Sequence, residues 1–130
     1  MNAQSHLEKI KSKLAGATTI AQITVVQEYA LQDRGFFRAR LVLTNGDFVE
    51  VSEFFTIVGG QARLVEYRHQ WMDSSQQILR KRWDNARHYP DLPNHPHHIH
   101  IGGETHVEPG RPLGIVDVVD VITEEVSTQP

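Results

Sequence analysis

The densest chemistry in this 130-residue chain lies between Arg82 and His100. Arg82-Trp83-Asp84-Asn85 comes first, then Ala86-Arg87-His88-Tyr89-Pro90, then His95-Pro96-His97-His98-Ile99-His100. Six of the eight histidines fall between His88 and His106. Histidine changes charge nearest neutral pH, so a group of them suits proton transfer or metal ligation. Arginine adds a planar fork that matches two phosphate oxygens.

These residue types meet the needs of metal-independent RNA cleavage. A base takes the proton of a ribose 2′-hydroxyl, an acid protonates the leaving 5′-oxygen, and a cation stabilises the extra phosphate charge. The candidate catalytic residues are His69, Arg82, Asp84, His88, His97, His98 and His100, with Asp84 orienting an imidazole. Tyr67, Arg80, Trp83 and Asn85 are candidates for holding substrate. Tyr67, Trp71, Trp83 and Tyr89 offer rings on which unpaired bases stack.

Two other readings use the same residues. In a metal-dependent hydrolase, His97, His98 and His100 would ligate zinc or another divalent metal, joined by His88 or His95. His-x-His on an extended segment puts His98 and His100 on one side, but no Glu-x-x-His pattern accompanies them, so the first expectation is no cofactor. In a non-catalytic binding module the Pro- and His-rich loop is an interface. Arg82 and Asp84 then form a plain ion pair, Trp83 anchors the core, and Asp84-Asn85 starts the loop through side-chain bonds to backbone.

The rest of the chain reads as the scaffold that positions this stretch. Ala3, Leu7, Ile10 and Leu14 recur at helical spacing, which predicts a helix over 1–16. Residues 20–84 read as five antiparallel strands, 20–31, 36–44, 47–58, 61–73 and 76–84, joined as a meander. In the first strand Ile23, Val25, Tyr29 and Leu31 lie at period two, interrupted at Gln27. In the second, Phe37, Ala39, Leu41 and Leu43 share a face opposite Arg38 and Arg40. Asn45-Gly46 predicts a type I′ turn. A two-residue turn at Ser74-Ser75 would set His69 opposite Arg80 and Tyr67 opposite Arg82, gathering His69, Arg80, Arg82 and Asp84 on one strip. Residues 85–112 read as an irregular loop broken by Pro90, Pro93, Pro96 and Pro109. Residues 113–126 read as a helix with Asp117, Asp120 and Glu124 on its outer face, and 127–130 as a tail. The expectation is α+β: helix, five-stranded meander, loop, helix, in one domain.

Composition narrows the functional class. A net charge of −3 gives no general pull toward nucleic acid. The absence of cysteine excludes disulfides, thiolate metal sites and a cysteine nucleophile. No apolar run is long enough to span a membrane and no signal peptide is visible, so a cytoplasmic protein without membrane contact is expected. The exposed edges of a five-stranded sheet invite pairing, so a homodimer is a further expectation.

Several of these residues also follow a familiar order. Ser52-Glu53-Phe54, Tyr67-Arg68-His69, Arg82-Trp83-Asp84-Asn85, His88 and Pro96-His97-His98-Ile99-His100 resemble the TumE family over roughly residues 35–125. Its members are toxins of bacterial and archaeal toxin–antitoxin pairs. The Asp-Asn…His…Pro-His-His-x-His run is the most specific marker, and Glu53 and Tyr67 are weaker ones. Through this resemblance Glu53 joins the candidate substrate-binding residues. Two departures stand out: His88-Tyr89-Pro90 where the family commonly pairs histidines, and two serines after Asp73 where it commonly has a glycine. The resemblance implies a small cytoplasmic toxin neutralised by a cognate antitoxin. Ribonuclease activity follows only by analogy with other small toxins.

Overall fold

A computed structural model describes residues 1–128. The order is α1 (Ala3–Gly16), β1 (Ile20–Ala30), β2 (Arg34–Leu43), β3 (Phe48–Val58), β4 (Gln61–Met72), β5 (Leu79–Asp84), β6 (His98–Ile101), β7 (Val107–Pro109) and α2 (Ile115–Thr128). The strands form one antiparallel sheet in chain order, so the expected meander is present but has seven strands, not five. The two extra strands lie inside the segment expected to be irregular. The expected tail is also corrected: Ser127 and Thr128 belong to α2, and Gln129 and Pro130 lie outside the described residues.

Both helices cover one face of the sheet. Asn2 caps α1, its Oδ1 accepting the Ser5 N–H at 2.8 Å while Ser5 Oγ accepts the Asn2 N–H at 2.9 Å. The predicted stripe Ala3, Leu7, Ile10 and Leu14 is the buried face of that helix. It meets Phe37, Ala39, Leu41 and Leu43 of β2, Val49, Val51 and Phe55 of β3, and Ile115, Val118, Val119 and Ile122 of α2. Burying each large aliphatic side chain contributes about 1.5–3 kcal/mol. Gly35 is required by this packing, since a Cβ there would stand 2.5 Å from Phe55 Cζ.

Strand β1 departs from its expected half-buried pattern. Ile23, Val25, Tyr29 and Leu31 are all exposed, because β1 is the sheet edge. Register shifts between Ile20 and Gln22 and between Val25 and Gln27 break its alternation, in keeping with the interruption read at Gln27. At the β2–β3 turn Gly46 takes φ 89° while Asn45 is not among the positive-φ residues, so the turn is not type I′.

The β4–β5 connection overturns the expected register. It runs from Asp73 to Ile78, with the Asp73 carboxylate accepting the N–H groups of Gln77 and Ile78, both at 2.9 Å. Gln76 takes φ 60° within it. The longer turn sets His69 opposite Trp83 and Gln70 opposite Arg82, with a bulge between Trp71 and Met72. Relative to the two-residue turn this is an odd shift of three positions, which exchanges faces. Tyr67, His69, Trp71 and Trp83 therefore lie toward the helices. Arg68, Gln70, Arg82 and Asp84 point the other way, so the expected strip combining His69 with Arg82 and Asp84 does not exist.

Candidate functional site

The face that the helices leave bare carries the site. Strand β5 pairs with β6, setting Asp84 opposite His98 and Arg82 opposite His100. As expected for His-x-His on an extended segment, His98 and His100 share a side, with Ile99 facing the other way. The segment 85–97 folds over them, and Tyr89 places its ring 5.0 Å from that of His98 and 5.9 Å from that of His100. The result is a small polar core: Asp84, His98 and His100 are all buried.

Its hydrogen bonds fix the orientation of each group. Asp84 Oδ1 accepts the Ala86 N–H at 2.9 Å and lies 3.0 Å from His98 Nε2. Its Oδ2 accepts Arg82 Nε–H at 3.3 Å and lies 4.0 Å from His100 Nε2. His98 Nδ1 donates to Pro96 O at 2.9 Å, and His100 Nδ1 donates to Glu104 O at 3.0 Å. Burial holds the His100 pKa below its ordinary value, so this imidazole is neutral near pH 7.

Above the trio lies a cleft of about 670 Å³ whose lining includes Arg68, Arg82, Arg87, His88, Tyr89 and Glu104. Three guanidiniums among the lining residues suit an anion. Arg82 is already engaged: Nη1 and Nη2 reach the two Glu104 carboxylate oxygens, each at 2.6 Å. Those bonds raise the Arg82 pKa and lower that of Glu104.

The structure thus brings Arg82, Asp84, His88, His98 and His100 to one place. Tyr67 and Asn85 border the cleft. Asn85 extends the β4–β5 ladder: its Oδ1 accepts the Tyr67 N–H at 3.1 Å and its Nδ2 donates to Val65 O at 3.0 Å.

The remaining candidates stand elsewhere, each with a partner of its own. His69 is fully buried on the helix side, donating from Nε2 to Leu113 O at 2.8 Å and accepting the Ser52 N–H at Nδ1 at 3.4 Å. Burial pushes its pKa down to about 4. His97 donates from Nδ1 to the Tyr67 hydroxyl at 2.9 Å, and that hydroxyl donates to Arg111 O at 3.1 Å. His97 is therefore separated from His98 and His100 by strand alternation, and the three do not form one metal site. Burial and the charge of Asp84 raise the Tyr67 pKa.

Glu53 Oε1 accepts the Ile115 N–H at 2.7 Å at the start of α2, and Oε2 meets His6 Nε2 at 2.7 Å. A carboxylate there complements the positive end of the helix. Arg80 pairs with Asp47 at 2.7 Å, away from the cleft. Trp71 and Trp83 are buried in the core. Neither they nor the buried Tyr67 offers a free face to a base, which leaves Tyr89 among the stacking candidates on the cleft. Sequence reasoning misses Arg68, Arg87 and Glu104. Arg68 and Glu104 carry no local mark, because strand pairing and a side-chain contact bring them to Arg82, whereas Arg87 stands within the Arg82–His100 stretch itself.

Comparison with known protein families settles the kinship. The family model described as Toxin TumE matches residues 8–129. The chain belongs to the TumE toxin family. The match takes in the whole sheet and the polar trio beneath the cleft, well beyond the motifs that carry the resemblance. No curated protein and no solved structure matches the chain. No helix of this TumE-family chain is long and apolar enough to cross a membrane among the described residues.

Proposed function

We propose that the chain is the toxin of a toxin–antitoxin pair and that it cleaves RNA in the cleft over Asp84. Family membership supports the first part. The observation that carries the second is the position of Arg82, wedged between Asp84 and Glu104 and directly across the strand pair from His100. A guanidinium fork beside imidazoles is what a phosphodiester requires: charge on its oxygens is held while protons move at the attacking and leaving oxygens. Arg82, Arg68 and Arg87 hold the phosphate, and Tyr89 gives a base a surface to stack on. His88, exposed at the mouth of the cleft, and His100, at its floor, are the proton-carrying candidates.

The test has two arms. Expression without antitoxin should arrest growth, and RNA from the arrested cells should carry discrete new ends. Arg82→Ala and His100→Ala should relieve arrest and restore intact RNA while the folded protein still accumulates. Growth arrest with RNA left whole would exclude the nuclease and leave only the toxin.

A further inference from the structure

The geometry points to a divalent transition-metal site formed by Asp84, His98 and His100, at the floor of the cleft. This deepens the reading of the cleft as an active centre, assigns His100 to the ion and leaves proton transfer there to His88, and it is tested without RNA. The three residues present ligand atoms that all lie within 4.8 Å of one another, and all three are buried.

Tautomers decide what those atoms can be. Pro96 O and Glu104 O each accept a proton from Nδ1 of His98 and His100. A neutral imidazole that gives its proton at Nδ1 has a bare lone pair at Nε2. Both Nε2 atoms then face the Asp84 carboxylate, at 3.0 Å and 4.0 Å. The carboxylate accepts from Ala86 N–H and Arg82 Nε–H, but neither imidazole Nε2 receives a donor, and His98 Nε2 is buried without a hydrogen-bond partner. A proton on His98 would meet Oδ1 but would leave the His100 lone pair facing Oδ2. One cation answers both contacts.

The surroundings are those of a metal site. Ligating histidines commonly donate their second ring N–H to a backbone carbonyl, which fixes the ring and raises its basicity. Both do so here. The ligating carboxylate is itself held, by the Ala86 N–H and by Arg82 Nε. Ligand bonds of about 2.0–2.2 Å bring such atoms to about 3 Å from one another, so small rotations of His100 close the set. Two imidazoles and one carboxylate select zinc or another first-row dication over magnesium or calcium, which prefer oxygen. Coordination positions toward the cleft stay open, as a catalytic rather than a structural ion requires. His97, the residue that completes the tract in sequence, takes no part because it lies on the opposite face with Tyr67.

The experiment uses the full chain, stripped with EDTA and dialysed against zinc near neutral pH. Wild-type protein should retain about one zinc per chain and melt at a higher temperature with zinc than without. Asp84→Asn and His100→Gln should each weaken zinc binding by about tenfold or more. His95→Ala with His106→Ala should leave it unchanged, since those rings are outside the trio. If the trio variants fold poorly, long-range 15N NMR of the wild-type imidazoles decides. Zinc should move the Nε2 signals of His98 and His100 while each Nδ1 keeps its proton. No zinc retained, or zinc that is lost with His95 and His106 and moves other imidazole signals, overturns the site. RNA cleavage that persists in EDTA by such a zinc-free protein would sink the site and leave the nuclease. Zinc held by the trio without RNA cleavage would do the reverse.

Discussion

Arg82 holds Glu104 through two 2.6 Å contacts, and Glu104 is the more exposed partner, at 66% against 12% for the Arg82 side chain. Glu104 sits between β6 and β7, so its carboxylate occupies the fork that the proposed phosphate would use. An exposed ion pair of this kind is worth roughly 0.2–1 kcal/mol.

Glu104→Gln should therefore free the Arg82 fork without unfolding the protein. Affinity for an RNA oligonucleotide should rise by about two- to fivefold, since that is what the lost competition is worth. Filter binding at low and high salt checks it, with the gain shrinking as salt screens the phosphate. Unchanged affinity would mean that Arg82 does not meet the backbone of the substrate.

His69 gives a pH prediction. The ring is buried and neutral, with a folded pKa near 4, whereas an unfolded histidine titrates near 6.5. Between those values the unfolded chain binds the proton and the folded chain does not. Stability is thus complete above the unfolded pKa and falls as pH drops toward 4. The loss by about pH 4.5 should be on the order of 2–3 kcal/mol. Urea unfolding of the wild type and of His69→Gln at both ends of that range should isolate it. The glutamine variant can donate to Leu113 O and accept from Ser52 N–H, and it should lack this part of the slope.

Much of this arrangement was legible in the sequence, and the errors have a common cause. Periodicity located both helices, because Leu7, Ile10 and Leu14, and Ile115, Val119 and Ile122, obey local spacing whatever lies across from them. It also marked His98 and His100 as sharing a face. Register is different, since it depends on turn length, and the Asp73 carboxylate that gathers Gln77 and Ile78 is a side-chain effect with no periodic signature. That one turn moved His69 from the cleft to the core. Strands β6 and β7 were hidden for another reason. His-Ile-His-Ile alternates, but its inward side chains are polar, and they are buried only because Tyr89 and Asp84 close over them.

Glu53→Ala should show that this residue acts through the fold. The substitution strips the Ile115 N–H and His6 Nε2 of their shared carboxylate. Leaving such buried groups unpaired costs about 1–3 kcal/mol each. Thermal melting should drop accordingly, while RNA affinity measured well below the transition should hold. A selective loss of RNA affinity at unchanged stability would return Glu53 to the substrate.

Asn85→Ala tests whether the cleft wall depends on an extension of the sheet by one side chain. Strand β5 ends at Asp84, yet β4 still needs partners for Tyr67 N–H and Val65 O. Asn85 supplies both from a single amide, which keeps the chain beside β4 as it turns toward Arg87 and His88. Alanine removes both bonds, at a cost of about 1–3 kcal/mol. Asn85→Asp keeps the acceptor for Tyr67 N–H but sets a carboxylate against Val65 O, so it should rescue only in part. The readout that separates positioning from mere stability is kinetic. If Asn85 aligns the wall that carries Arg87 and His88, its loss should lower kcat for RNA cleavage at temperatures where the variant is fully folded. If only stability falls and kcat holds, the wall is positioned by the sheet without it.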